Sequence, residues 1–241
     1  MVQATVHFAN LVSDFVNHIL CYNARATILV VCSTRTQFLE QLAASIAVES
    51  RLHQREGHNE QLEDGTEDPP SESVERRHRL LTKTIGLIAQ SRKVKLVFCP
   101  SVEHLRAYLS TLRITSEDGQ KRLQESAGPE EYRRRCLAIL DLVAVHYTTS
   151  EFSAKGLSRT LAIVVEAAAR AAADLVLCEC NDALDPQNLE RGEKLWDLQV
   201  PLLSGAVRLE DGRSSWSGRH VSVKRVAQRW FQFENTDMMH V

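Results

Sequence analysis

Four apolar runs recur along the chain, separated by stretches whose apolar residues return at helical spacing. The runs are Ala26 to Cys32, Val94 to Cys99, Cys136 to His146 and Asp174 to Cys180. Each reads as a strand, and Ala26 to Cys32, continuous and β-branched, has the pattern of one buried on both faces. Between and around them, helices are predicted over Gln37–Leu52, Val74–Gln90, Val102–Leu112 and Ser153–Ala173. In the last of these, Leu157, Leu161, Val164, Val165, Ala168 and Ala172 share one face. The opening segment, Val2 to Tyr22, reads as an amphipathic helix, with Phe8, Leu11, Val12, Phe15, Val16 and Ile19 on one side. Trp196–Val207 and Val221–Phe233 read as two late strands joined through the turn-rich Glu210–Arg219 as a hairpin. Strands alternating with helices predict an α/β fold with a mostly parallel central sheet flanked by helices, the late strands adding antiparallel pairs at one edge.

Polar stretches divide this pattern. Residues 55–73 carry Glu-Asp-Gly, Glu-Asp-Pro-Pro and Ser-Glu-Ser and are expected to form a disordered acidic insertion. Residues 115–130 are a further polar loop or short helix, and 181–198 a polar connection. The expected organisation is an N-terminal helix or arm over 1–25, a core over 26–235 containing the insertion, and a short tail over 236–241. With 241 residues and 44% hydrophobic content, the chain can bury one sizeable core. It has no apolar stretch long enough for a membrane span and no signal-peptide pattern, so no membrane partner is expected. The six cysteines are scattered through apolar runs, as buried free thiols are. Cys178 and Cys180 would share one face of a strand, but no second pair or histidine stands at zinc spacing, so no metal site is expected.

The net charge of −2 conceals an uneven distribution. Glu56 to Glu75 holds eight acids and no Lys or Arg, whereas Arg208 to Arg229 holds six basic residues against Glu210 and Asp211. The second stretch is the one that bears on nucleic acid.

The chemistry-bearing positions lie at strand ends. A phosphate-binding loop after the first run would need glycines, so that backbone N–H groups close on phosphate, and a Lys followed by Ser or Thr. Ser33-Thr34-Arg35-Thr36 stands there instead. The third run, Leu137-Ala-Ile-Leu-Asp141, does end in the acid that a magnesium-holding strand requires. Ser33, Thr34, Arg35, Thr36 and Asp141 are therefore read as the vestige of a nucleotide site, with Arg35 either a surface residue, a partner for Asp141 or an anion ligand. No nucleotide or Mg²⁺ cofactor and no catalytic residue is expected.

The second half of the chain resembles the RecA-like recombinases, specifically the eukaryotic recombinase paralogues. The likeness runs through Cys136–Val145, which is similar to the family's Walker B strand, then Phe152-Ser-Ala-Lys-Gly-Leu-Ser-Arg159, Leu175–Asn181, Trp196–Leu203 and Val221–Phe233. Weaker similarity covers Thr27–Leu112. The resemblance implies a RecA-like P-loop NTPase fold with a degenerate Walker A. The family's catalytic glutamate falls near Pro100 or Ser101, with Glu103 offset, and its polar sensor near Cys180 or Asn181. Small ATPase-defective members of this kind sit in heteromeric assemblies. In Shu-type complexes the partner is a zinc-binding SWIM-domain protein, and the assembly supports the recombinase filament on single-stranded or branched DNA in the nucleus.

The expected function is accordingly a non-catalytic subunit in homologous-recombination DNA repair. Partners would be a SWIM-domain protein or another recombinase paralogue, together with the filament and DNA. DNA-contact candidates are Lys155 and Arg159 in one region, and Arg213, Trp216, Arg219, Lys224, Arg225 and Arg229 in the other, where cations neutralise phosphates and the indole stacks on a base. Tyr132-Arg133-Arg134-Arg135 is read as a solvated charge run or partner contact at the opposite end of the sheet. Phe8, Leu11, Phe15 and Val16 are candidates for partner docking, against which self-packing is the competing reading. Two alternatives stand beside this: a structural subunit of an Elongator-type tRNA-modification assembly, and an atypical ATP-binding enzyme.

Overall fold

A computed structural model describes residues 3–22, 24–59, 78–112, 134–202 and 219–233. In chain order the first half gives β1 (Ala4–Val6), α1 (Val12–Cys21), β2 (Thr27–Val31), α2 (Arg35–Asn59), α3 (Ile85–Ser91), β3 (Val94–Phe98) and α4 (Val102–Thr111). The second half gives β4 (Arg135–Leu140), α5 (Leu142–Tyr147), α6 (Ala154–Arg170), β5 (Ala173–Cys178), β6 (Gln199–Pro201), β7 (His220–Ser222), α7 (Val223–Ala227) and β8 (Gln232–Phe233). Short 3₁₀ turns occupy Arg79–Leu81 and Glu193–Asp197.

Six strands form one sheet in the order β3-β2-β4-β5-β1-β8, and every pairing in it is parallel. The layout is the expected one: an α/β molecule of Rossmann/RecA-like build, with a parallel sheet between helices. Among β2, β3, β4 and β5 the order is two-one-three-four, one of the doubly wound arrangements. The sheet is apolar on both faces because both are covered. Val30, Leu137, Ile139, Leu175 and Leu177 point into a core shared with α4, α6 and α7. Leu29, Val31, Cys136, Ala138, Leu140, Val176 and Cys178 point the other way, against α1 and the start of α2. The two periodicities meet here: period two along each strand feeds both layers, and period 3.6 along α6 buries Leu157, Leu161, Val164 and Ala168. Ser153 caps α6, its hydroxyl accepting from the Gly156 N–H at 3.1 Å. Gly156 is required by close approach, since a Cβ there would lie 2.1 Å from the Glu151 carbonyl oxygen.

Several expectations are corrected. The helix read from Val2 begins only at Val12; Ala4–Val6 is a strand paired with β5 and β8. Three residues are too few to show a strand period, and the β-branched Thr5 and Val6 gain more from the sheet's open edge than from a helix. The third run ends as a strand at Leu140; Asp141 turns into α5. The second helix continues to Asn59, past the expected limit at Leu52 and into the segment read as an insertion. The remainder of that insertion and residues 113–133 lie outside the described residues, as does the tail. The helix read over Val74–Gln90 is, from residue 78, a 3₁₀ turn followed by α3. The late strands do pair antiparallel, Val200 opposite Val221, but as a separate two-stranded sheet; Trp196 lies in a 3₁₀ turn and Val223–Ala227 is helical. What extends the main sheet is β8, in parallel with β1. No helix among the described residues is long and apolar enough to cross a membrane.

Ala172, expected on the buried face of α6, is instead exposed in the turn after it, with φ 48°. That left-handed position at a helix end is where glycine is preferred, because an L side chain there meets its own backbone. Ala172→Gly should stabilise the protein by about 0.5–1 kcal/mol. Urea unfolding at equilibrium measures this, and an unchanged or lower midpoint would contradict it.

Candidate functional site at the carboxyl ends of the central strands

Strand order reverses between β2 and β4, so the crevice outside their carboxyl ends is where a doubly wound sheet binds ligands. On the β2 side the chain passes through Cys32 and Ser33, both buried, into α2. The start of α2 is closed by its own side chains. The Thr34 N–H donates to Gln37 Oε1 at 3.1 Å, and the Gln37 N–H donates to Thr34 Oγ1 at 3.2 Å. This reciprocal box occupies donors that a phosphate-binding loop would leave open. Arg35 and Thr36 are exposed.

On the β4 side, Asp141 adopts a left-handed backbone, φ 62°, a conformation that Asp tolerates better than most residues. It is 2% exposed. Its own N–H donates to the Cys178 carbonyl at 2.9 Å, and its Oδ1 accepts from the Cys180 N–H at 3.2 Å. Its Oδ2 lies 2.9 Å from an Arg191 guanidinium nitrogen. The partner of Asp141 is thus Arg191 and not Arg35.

Beside it stands a second buried carboxyl, Glu179, at the end of β5. Its two oxygens accept from the Val143 and Ala144 N–H groups at 2.6 and 3.1 Å, the first turn of α5. Burial raises the Glu179 pKa well above the ordinary carboxyl range, and the neighbouring Asp141 charge raises it further. Burial also raises Asp141, against which Arg191 and the Cys180 N–H act. Asp141 takes the guanidinium, so Glu179, buried beside it, keeps its proton to a higher pH than a solvated glutamate does.

The segment supplying Arg191 is pinned to α2. Gln41 donates through Nε2 to Asp182 Oδ1 at 2.6 Å and accepts from the Ala183 N–H at 2.9 Å, while Asn188 Nδ2 donates to Asp182 Oδ2 at 2.9 Å. Gly192, at φ 87°, lies against Asn181, where a Cβ would come within 1.8 Å of Asn181 Oδ1. The crevice therefore holds an acid already neutralised by the chain itself, below a helix N-terminus that caps itself. Among the described residues, no cluster of His, Cys, Asp and Glu is set to hold a metal. Cys178 and Cys180 have their sulfurs 3.6 Å apart, on one face as their spacing required, and both are buried.

The remaining candidates are dispersed. Lys155 and Arg159 are exposed on successive turns of α6. Arg219 and Arg225 are exposed around β7 and α7; Arg229 is exposed with its guanidinium 5.6 Å from the Trp230 ring centre. Lys224 is half-buried, its ammonium 5.4 Å from the Phe233 ring centre. The helices α6 and α7 pack together, which places both sets on one side of the sheet. Arg213 and Trp216 lie outside the described residues, as do Tyr132 and Arg133. Arg134 pairs with Asp174 at 3.1 Å. Of the docking candidates, Phe15 is fully buried under the sheet, and Phe8, Leu11 and Val16 are partly buried, with Phe8 6.1 Å from Phe233 between ring centres. Glu103 is an exposed residue in the first turn of α4, the helix that follows β3.

Glu179 and Arg191 were missed in the sequence. Glu179 left a signal, an acid closing an otherwise apolar run. Arg191 left none: it is one cation in a polar connection, and only the path of the chain brings it to Asp141.

A family model described as SPAC22G7.03-like matches residues 4–233. The chain belongs to the SPAC22G7.03-like family. The match spans both the parallel sheet and the small antiparallel one, so the Asp141–Glu179–Arg191 cluster lies inside the family's shared region. No curated protein and no solved structure matches the chain.

Removing Arg191 strands a buried charge, and Arg191→Met should cost about 3–5 kcal/mol. Adding Asp141→Asn, which retains an oxygen for the Cys180 N–H and tolerates the left-handed backbone, should recover a large part of that loss. Urea unfolding of the two variants checks both, and a double variant no more stable than the single one would contradict the pairing. A second buried group follows α5: His146, whose Nε2 lies 3.0 Å from Thr160 Oγ1, beside the Arg106–Glu151 pair. Burial, aided by the Arg106 charge, lowers its pKa to about 4. A histidine depressed in the fold contributes stability above its unfolded pKa and loses it as pH falls towards the folded one. His146→Gln should therefore cost about 2 kcal/mol less at pH 5 than at pH 7.5. Equal costs at the two pH values would contradict this.

Proposed function

We propose that this protein is a non-catalytic subunit of RecA-like build that promotes homologous recombination in the nucleus, holding nucleic acid and a protein partner so that a recombinase filament assembles. The observation that carries the non-catalytic part is the 2.9 Å ion pair between Asp141 and Arg191. Phosphoryl transfer depends on Mg²⁺ and on donors that neutralise the phosphates. Here Asp141, the acid at the end of β4, is neutralised internally, and the helix start that would receive the phosphates is closed by Thr34 and Gln37. The recombination part is supported by the resemblance of Cys136–Val145, Phe152–Arg159 and the later segments to recombinase paralogues. The partner is then a SWIM-domain protein or a second paralogue.

Two measurements test this. Titration calorimetry with MgATP should give no saturable heat, before or after Asp141→Ala; saturable binding lost in the variant would overturn the non-catalytic reading in favour of an atypical ATPase. Affinity purification of the tagged chain followed by mass spectrometry should recover recombinase and a SWIM-domain protein. Recovery of tRNA-modification subunits in their place would move the protein to an Elongator-type assembly.

A further inference from the structure

The parallel sheet gives the molecule two chemically different ends. All six strands run the same way, so the residues that precede them gather at one end and those that follow them at the other. At the carboxyl end, Glu179 to Asp197 contains six acids and two cations. Asp185, Glu190, Glu193 and Asp197 are exposed there. A polyanion approaching this connection meets mostly its own sign of charge.

The amino end is the reverse. Arg25 precedes β2, Arg92 and Lys93 precede β3, and Arg134 and Arg135 begin β4. Backbone hydrogen bonds hold these starts side by side: the Arg25 N–H donates to the Arg134 carbonyl at 3.1 Å, and the Thr27 N–H donates to the Lys93 carbonyl at 2.9 Å. The three neighbouring strands therefore present their cations in a row about 10 Å across, at the usual strand spacing. Arg25, Arg92, Lys93 and Arg134 are exposed, and Arg135 is half-buried. Asp174 is the acid among them, paired with Arg134. Among the described residues, Arg25, Arg92 and Lys93 make no ion pair. The stretch that delivers Arg92 and Lys93, His78 to Phe98, contains five Lys and Arg and no acid.

We propose that this amino-terminal rim, formed by Arg25, Arg92, Lys93, Arg134 and Arg135, is a sequence-independent binding surface for the phosphate backbone of nucleic acid. The inference rests on the reading that the protein acts on nucleic acid, and it places the contact at the end of the sheet opposite the Asp141 crevice. Cations at fixed spacing on rigid strand starts bind phosphates without reading bases, releasing counterions as they do so. A row of guanidinium and ammonium groups at strand spacing suits the regularly charged backbone of a nucleic acid.

The test uses the full chain and a fluorescein-labelled 30-nucleotide single strand, read by anisotropy across a salt series. Binding should weaken with salt at a log–log slope of about −3, as four phosphate contacts require when Asp174 neutralises Arg134 among the five cations. Arg25→Glu with Lys93→Glu should lower affinity about tenfold or more, and the milder Arg25→Gln with Lys93→Gln about threefold to fivefold, with the slope shrinking by about 1.4. Lys155→Glu with Arg159→Glu should change affinity less than about twofold. Far-UV circular dichroism confirms that each variant is folded, and the Gln pair serves if the reversed pair does not fold. Loss through Lys155 and Arg159 with the rim variants unaffected would overturn the rim and leave the nucleic-acid reading standing. Absence of any oligonucleotide binding would overturn both. Displacement of the oligonucleotide by polyglutamate, or tighter binding to phosphatidylserine vesicles, at equal charge would assign the rim to an acidic protein or a membrane surface and overturn it as well.

Discussion

Burying Asp141 sets the terms for everything at the carboxyl end of the sheet. A carboxylate taken out of water loses several kcal/mol of solvation, which only a well-placed opposite charge and hydrogen bonds restore. Arg191 provides the charge, and the Cys180 N–H and the chain's turn after β4 provide the geometry. Because Arg191 must reach inward, residues 181–192 are drawn over the strand ends and clamped to α2 through Gln41 and Asp182. Glu179, buried alongside, fixes the start of α5 by accepting its first N–H groups. The acid that would serve a nucleotide in another setting here serves the fold.

This use of charge leaves the molecule polarised. Acids that solvate the connection over the carboxyl ends accumulate on one side, and cations that begin the strands accumulate on the other. A parallel sheet makes such segregation possible, because every strand start faces one way; antiparallel strands would have interleaved the two sets. Binding and chemistry are consequently separable in this fold. The crevice where a doubly wound sheet ordinarily works is occupied by its own ion pair, whereas the described residues of the opposite rim are cations with Asp174 as the acid among them.

The sheet was legible from the sequence where its strands left apolar runs. Thr27–Val31 and Val94–Phe98 lie within such runs, and Arg135–Leu140 and Ala173–Cys178 each begin one residue before theirs. The capped helices α4 and α6 were legible for the complementary reason, a single apolar stripe of period 3.6. Elements too short to display a period were not. Ala4–Val6 is a strand only because β5 and β8 offer hydrogen bonds on either side. Val223–Ala227 reads as β-branched strand material, but Ser222 caps it and Val223, Val226 and Ala227 pack inward as one helical turn.

The sequence by itself determined the class of fold, the absence of a phosphate loop after β2, and the presence of an acid at the end of β4. These are local facts: each depends on residue types within a few positions of one another, and solvent exclusion acts on them directly. Tertiary structure decided what that acid does. Arg191 and Asp141 are distant in the chain and carry no shared pattern, and Glu179 acquires its raised pKa only from a neighbour on another strand. Long-range electrostatics depends on separation in space, which no period or motif along the chain encodes, so the state of the crevice and the charge of the opposite rim emerged only once the strands were laid side by side.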